Sequence, residues 1–133
     1  MLLKTRPKIL VIGILLLFLG FSCAIRVIRH DIKRDVNKWC QTAQVVHPHP
    51  NDGVAALLAY VQSESHTLKE RNHMIWAIGQ SRDARALPVL ENYFTNRECN
   101  HSQNLCQHEL EKAIRLCSKS SPDLSGQIKP HHH

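Results

Sequence analysis

The sequence lacks the short motifs that mark common catalytic sites. It contains no G-x-S-x-G elbow, no phosphate-binding loop and no H-E-x-x-H metal motif, and it has only five glycines in all. Glu109 and Glu111 stand two residues apart in a stretch with helical periodicity, so they face different sides of a helix. The sequence therefore predicts a protein that is not an enzyme, with no catalytic residue and no cofactor.

A strong excess of charge of one sign is also lacking. The chain carries 17 Lys and Arg against 11 Asp and Glu, a formal charge of +6. Three of the basic residues (Lys4, Arg6 and Lys8) precede residue 9, which leaves 14 basic against 11 acidic residues, or +3, in the remainder. Proteins that bind nucleic acid by charge need a dense basic face. The balance predicts no nucleic-acid partner.

Strand-like alternation is absent, and one long apolar run stands near the start. Ile9 to Ile25 reads ILVIGILLLFLGFSCAI and follows the three basic residues, which is typical of a signal peptide or an N-terminal transmembrane anchor over residues 1–25. As a helix the run spans ~25 Å, close to the ~30 Å of a bilayer core. The small-x-small triplet Ser22-Cys23-Ala24 suits cleavage. Cleaved signal and retained anchor both stay open, and either makes the membrane a partner.

Cysteine usage indicates the compartment. Of the five cysteines, Cys23 lies in the apolar run, which leaves an even number in a short chain behind an export-like signal. Such a count favours disulfides and an oxidising compartment. Charge alone does not orient the run, because basic residues also follow it: Arg26, Arg29, Lys33, Arg34 and Lys38. We expect the rest of the chain on the periplasmic or extracytoplasmic side, either anchored or secreted.

Beyond the run the sequence has the periodicity of helices. A leading helix from Ile25 to about Ala43 and the linker His47-Pro48-His49-Pro50 make up residues 26–50. The expected helices of residues 51–118 cover about 51–63, 68–80 with Gly79 near the C-terminal cap, 84–94 with Pro88 bending the interior, and 105–117. Residues 119–133, which end in His131 to His133, predict a disordered tail. The expected fold class is all-α.

These helices repeat as two hairpins. Ala56-Leu57 aligns with Ala86-Leu87 thirty residues on, and Ala77-Ile78 aligns with Ala113-Ile114 thirty-six residues on. A hairpin with one apolar face stays exposed unless another hairpin stacks on it. The repeat therefore predicts one shared core that contains Leu57, Ile78, Leu87 and Ile114.

Residues 74–90, MIWAIGQSRDARALPVL, closely resemble the junction between two HEAT repeats. In that family an Ala-x-Gly helix end precedes Asp-x-Arg-Ala-Leu-Pro-x-Leu, and Asp83, Arg85 and Pro88 stand in those places. Covering about residues 53–117, the resemblance implies a short α-solenoid of two HEAT-like hairpins, a non-enzymatic scaffold that binds another protein. It also implies that Asp83 and Arg85 hydrogen-bond neighbouring repeats. A HEAT-like lyase is the minor alternative.

This chain departs from the family in two respects. Such solenoids usually have three or more repeats, and only two are recognisable here. The second hairpin also carries a cysteine-bearing insertion between its helices. We expect the leading helix to act as the missing N-terminal cap.

The insertion is the main candidate site. A Cys99–Cys106 disulfide would staple the hairpin and contribute ~2–3 kcal/mol, and a Cys40–Cys117 disulfide would tie the cap to the last helix. The alternative is a zinc site from Cys99, His101, Cys106 and His108, although residues i and i+2 of a helix diverge. Candidate partner contacts are Tyr60, Trp76, Tyr93 and residues 96–103. Loose copper or nickel binding by the linker or terminal histidines is a further alternative to a solvated tail or a tag remnant.

Overall fold

The computed structural model describes residues 7–119, with side chains described from Leu10 onward. The helices of this part are α1 (Pro7–Val46), α2 (Gly53–Gln62), α3 (Leu68–Ser81), α4 (Leu87–Tyr93) and α5 (Gln107–Ser118), with a 3₁₀ turn at Ala84–Ala86. Residues 7–119 contain no strand, which confirms the all-α prediction. Lys4, Arg6, the predicted tail beyond Lys119 and His131 to His133 lie outside the described residues.

Helix α1 contains the apolar run. Residues up to Arg34 and residues from Asp35 form separate compact units. The stretch Leu10–Val46 is long and apolar enough to cross a membrane, with a mean hydropathy of 2.5 in its most apolar window and no burial there. The predicted boundary at Ile25 is wrong, because α1 continues through it to Val46. The long apolar helix is compatible with either a signal or an anchor.

Side chains with cap chemistry set the starts of α2 and α3. The Asp52 carboxylate accepts a hydrogen bond from the Ala55 amide at 3.0 Å, which satisfies one of the free N–H groups of α2. At α3, Thr67 and Glu70 form a reciprocal capping box. The turn between these caps is short, so α2 and α3 pack against each other as the first hairpin.

Gly79 does not cap α3. The cap is Arg82, whose φ of 56° lies in the left-handed region, whereas Gly79 is fully inside α3. A Cβ atom at Gly79 would lie 2.9 Å from Cα and 3.0 Å from Cβ of Ala113 in α5. The glycine therefore permits the close approach of α3 and α5, and the predicted cap role is wrong.

Pro88 does not bend a helix interior. The 3₁₀ turn ends at Ala86, α4 begins at Leu87, and the proline stands in its first turn. No intrahelical bond is lost there, because the first amides of a helix have no intrahelical acceptor. The expected single helix over 84–94 is thus a turn followed by a short helix.

One core lies among these helices. Helix α3 packs against α2 and α5, and α4 packs against α5. The largest fully buried side chains are Leu57, Met74, Ile75, Ile78, Leu90, Leu110, Val61 and Cys117. Leu87 and Ile114 pack against them, which confirms the predicted shared core. From the end of α1, Ala43 is fully buried in this core and Trp39 packs on it.

Arg85 connects the second hairpin to the start of the first. Its Nη1 lies 2.6 Å from Oδ2 of Asp52, and its Nη2 lies 2.6 Å from Oδ2 of Asp83. The Arg85 hydrogen bonds, followed by the Ala55 amide, lower the pKa of Asp52 to about 2. Bonding to Arg85 also lowers the pKa of Asp83.

The packing at Gly79 gives the first prediction. Alanine is favoured over glycine in a helix by ~1 kcal/mol, whereas overpacking costs ~1–3 kcal/mol. Because the close atom is backbone, we expect Gly79→Ala to lower the free energy of unfolding by ~1–2 kcal/mol. Urea unfolding of the full chain in detergent, followed by tryptophan fluorescence, measures this, since both tryptophans, Trp39 and Trp76, lie after Arg34.

The control exchanges the methyl group between the helices. In an Ala113→Gly background, Gly79→Ala should cost less than in the natural chain, because the space it fills has been emptied. A rise in stability on Gly79→Ala alone would contradict the close approach of α3 and α5.

The junction gives a second prediction. The folded pKa of Asp52 lies below its ordinary value of 3.8, so its contribution to stability is present above pH 4 and is lost as the pH falls towards about 2. We expect Arg85→Ala to raise the pKa of Asp52 towards its ordinary value and to flatten this acid dependence. NMR titration of the Asp carboxyl carbons measures the shift. Arg97→Ala, which removes the same charge from an exposed loop residue, should leave it unchanged.

Candidate functional site

The insertion between α4 and α5 is anchored at both ends. The side chain of Gln107, only 7 % exposed, accepts the Thr95 amide at 2.7 Å and donates to the carbonyls of Tyr93 and Leu105. The Asn72 side chain on α3 accepts the Cys106 amide at 2.9 Å. Between these anchors, residues 95–104 are exposed. The insertion is therefore a loop with a fixed base and an accessible middle.

Two of the predicted cysteines meet at the base of this loop. The sulfur atoms of Cys99 and Cys106 lie 3.5 Å apart, and no bond joins them. Cys99 is exposed, whereas Cys106 is 7 % exposed. Helix α5 starts at Gln107 with Cys106 as its N-cap, not at Leu105 as expected. The Cys99 sulfur accepts the backbone amide of His108 in the first turn of α5, at 3.4 Å.

The two thiols have opposite electrostatic environments. The His108 amide and the Cys106 thiol both hydrogen-bond the Cys99 sulfur and lower the pKa of Cys99. Burial raises the pKa of Cys106. The Cys99 thiol is therefore the more readily ionised of the pair.

The structure does not bring the other predicted pair together. The Cys117 sulfur is buried and donates to the carbonyl of Ile78 at 3.7 Å, and burial raises the pKa of Cys117 to about 11. Cys40 instead lies where a Cβ on Gly53 would touch it, at 3.1 Å. The two sulfurs thus contact different elements and are both free thiols.

The predicted zinc residues do not converge. Cys99 and Cys106 are adjacent, but the side chain of His108 is exposed, and His101 lies with Cys106 along a surface groove. Within residues 7–119 no three His, Cys, Asp or Glu side chains are grouped so that they would hold a metal ion. The expected four-residue zinc set is therefore wrong for this arrangement.

Trp76 occupies the boundary between two grooves on the α3 and α5 surface. The first groove, of about 550 Å³, is lined by Lys69, Asn72, His73, Trp76, His101, Cys106 and Glu109. The second, of about 490 Å³, runs between the ends of α3 and α5, with Trp76, Lys112 and Arg115 in its lining. Trp76 itself is half-buried. Of the predicted partner contacts, it has the most accessible position on an element face.

The two predicted tyrosine contacts are mainly packing residues. Tyr60 is 5 % exposed and belongs to the core, so its expected place on an exposed face is wrong. Tyr93 is half-buried, and the Arg71 guanidinium lies 5.7 Å from its ring centroid. Arg71 also donates from Nε to the Val61 carbonyl at 2.7 Å, which fixes it inside the first hairpin.

Two histidine contacts were not found by sequence reasoning. His47 of the linker and His66 of the α2–α3 turn approach to 2.9 Å between their Nε2 atoms, and His66 stacks on Tyr60 with ring centroids 3.6 Å apart. His73 stacks on Trp39 at 5.0 Å. These pairs are 19 and 34 residues apart in sequence, and no local pattern marks them. The second pair adds a half-exposed aromatic stack next to the first groove.

The chemistry of the α3 and α5 surface is that of non-covalent contact. An indole and an imidazole lie beside Lys69, Glu109 and Lys112, so the surface combines apolar area with charges of both signs. Comparison of the chain with protein-family models, curated proteins and solved structures finds no match.

Proposed function

We propose that this chain is a non-enzymatic binding module that is attached to the membrane by α1 and that recognises another protein through the surface around Trp76. The observation that carries the proposal is the position of Trp76 between two grooves, on neighbouring helices of a rigid core. Tryptophan is among the residues that contribute most to protein interfaces, because a half-buried indole supplies large contact area at little cost in entropy.

We further propose that the two hairpins are a short solenoid of HEAT type, with the end of α1 as its cap. Three observations support this architecture. The second helices of the hairpins, α3 and α5, pack side by side. Arg85 spans from Asp83 to Asp52, as the resemblance implies for a repeat junction. Ala43 and Trp39 cover the core from the α1 side.

A protein suits this surface better than a nucleic acid. Lys69 and Lys112 lie close to Glu109, and Lys112 forms an ion pair with it at 3.2 Å. A nucleic-acid surface requires basic side chains without such acidic neighbours. Protein interfaces of moderate size instead combine an aromatic centre with a rim of mixed charge.

The proposed location is a membrane surface on the extracytoplasmic side. The long apolar stretch of α1 supplies the attachment, and the cysteine count supplies the side. Ser22-Cys23-Ala24 lies within the continuous helix α1. Proteases cleave extended segments, so this geometry favours a retained anchor over a released domain.

Photocross-linking tests the proposed surface. A photoactivatable phenylalanine analogue at position 76, introduced into the full chain in its native membranes, should yield an adduct of one discrete mass. The matched control carries the analogue at Glu91, an exposed residue of α4, and should yield none. Equal adducts from both positions, or none from position 76, would refute the surface.

Fractionation tests the anchor. We expect the native protein in the membrane fraction, released by detergent but not by high salt, with residues 9–25 still present by mass spectrometry, because an apolar helix is held by burial in lipid and not by charge. A soluble protein that begins at Ile25 would instead establish a cleaved signal.

A further inference from the structure

We infer that Cys99 and Cys106 form a thiol–disulfide exchange site, in which Cys99 attacks a disulfide of a partner protein and Cys106 resolves the mixed disulfide. This activity goes beyond the proposed binding function and does not depend on it. It is also distinct from a permanent staple, because it requires the pair to cycle between its dithiol and its disulfide.

The first support is the proximity of two unequal thiols. Their sulfurs are 3.5 Å apart, and a disulfide bond is about 2 Å long, so the pair closes after a movement of about 1.5 Å. Cys99 is exposed and Cys106 is buried. A partner disulfide can reach the Cys99 sulfur from solvent, whereas the Cys106 sulfur is reached through Cys99.

The second support is the donor that faces the Cys99 sulfur. The backbone amide of His108 points at it from the first turn of α5, a helix of 12 residues. An amide there stabilises a thiolate both by its hydrogen bond and by the positive end of the helix. The Glu109 carboxylate acts in the opposite direction, as the nearby negative charge. The thiolate is the form that attacks a disulfide.

The third support is the ease of movement of the chain that carries Cys99. Residues 95–104 are exposed and are not helical. The loop turns at Asn100, whose side-chain oxygen accepts the amide and the hydroxyl of Ser102. Cys106, by contrast, is fixed by the Asn72 bond to its amide. Closure therefore requires motion of the loop only, and the helices remain in place.

The exchange balances with the partner disulfide as the only oxidant. The Cys99 thiolate attacks one partner sulfur, the partner S–S bond breaks, and the second partner sulfur leaves as a thiolate that takes a proton. Cys106 then loses its proton and attacks the Cys99 sulfur, which releases the first partner sulfur as a thiol. Two electrons and two protons pass to the partner, and a Cys99–Cys106 disulfide remains.

The test uses the full chain in detergent with oxidised glutathione as the disulfide probe. The reduced natural chain should release two molecules of glutathione and lose two hydrogens in mass. Cys106→Ser should stop at the mixed disulfide, with one glutathione on Cys99 located by peptide mapping. Cys99→Ser should react at least ~10-fold more slowly, because the remaining sulfur is buried. Cys40→Ser is the matched control and should behave as the natural chain.

Two results would overturn the inference. One is glutathione on Cys23, Cys40 or Cys117 in the Cys106→Ser chain at a rate equal to that on Cys99. The other is a Cys99–Cys106 disulfide that persists in excess reduced glutathione, which would make the pair a structural staple. Tryptophan fluorescence of each serine variant establishes that it is folded, so a lost reaction is not a lost fold.

Discussion

The close approach of α3 and α5 at Gly79 and Ala113 is the contact on which the rest of the structure depends. Each hairpin alone has one apolar face and too little core to bury it, and two short hairpins reach a stable core only when these faces meet. A side chain at position 79 would hold the helices apart, because the nearest atom across the interface is backbone. The same approach sets α3 and α5 side by side, and thereby forms the two grooves that flank Trp76.

Sequence periodicity was sufficient for the helices and for the shared core, because apolar stripes at helical spacing must face inward whatever the detail of the loops. Boundaries that depend on caps were harder. Gly79 was assigned to a cap from its residue type, yet Arg82 adopts the left-handed conformation there, at a position where a polar residue remains in solvent. Pro88 was read as a kink because a single periodic stripe runs across the 3₁₀ turn and α4, and the stripe does not reveal where one ends.

The candidate sites divide along the same line. The Cys99 and Cys106 pairing was predictable because the loop that separates them is short, so chain connectivity alone holds them near each other. Cys40 and Cys117 are far apart in sequence, and which atoms each touches is decided by packing that no local pattern records. The contacts of His47 with His66 and of Trp39 with His73 were missed for that reason. Tyr60 was misplaced because a helical stripe gives the direction of a face but not the element that covers it.

The shortness of α4 has a consequence for dynamics. A helix of seven residues is far below the length at which an isolated helix holds together in water, so α4 stays ordered only through its packing on α5. Local unfolding is therefore expected to begin there, at a lower free energy than opening of the first hairpin, whose helices are capped at their starts by side chains. Fraying of α4 would lengthen the loop that carries Cys99 at its near end. The reach of that thiol would then be set by breathing of the domain as well as by the crystal-like arrangement of its resting state.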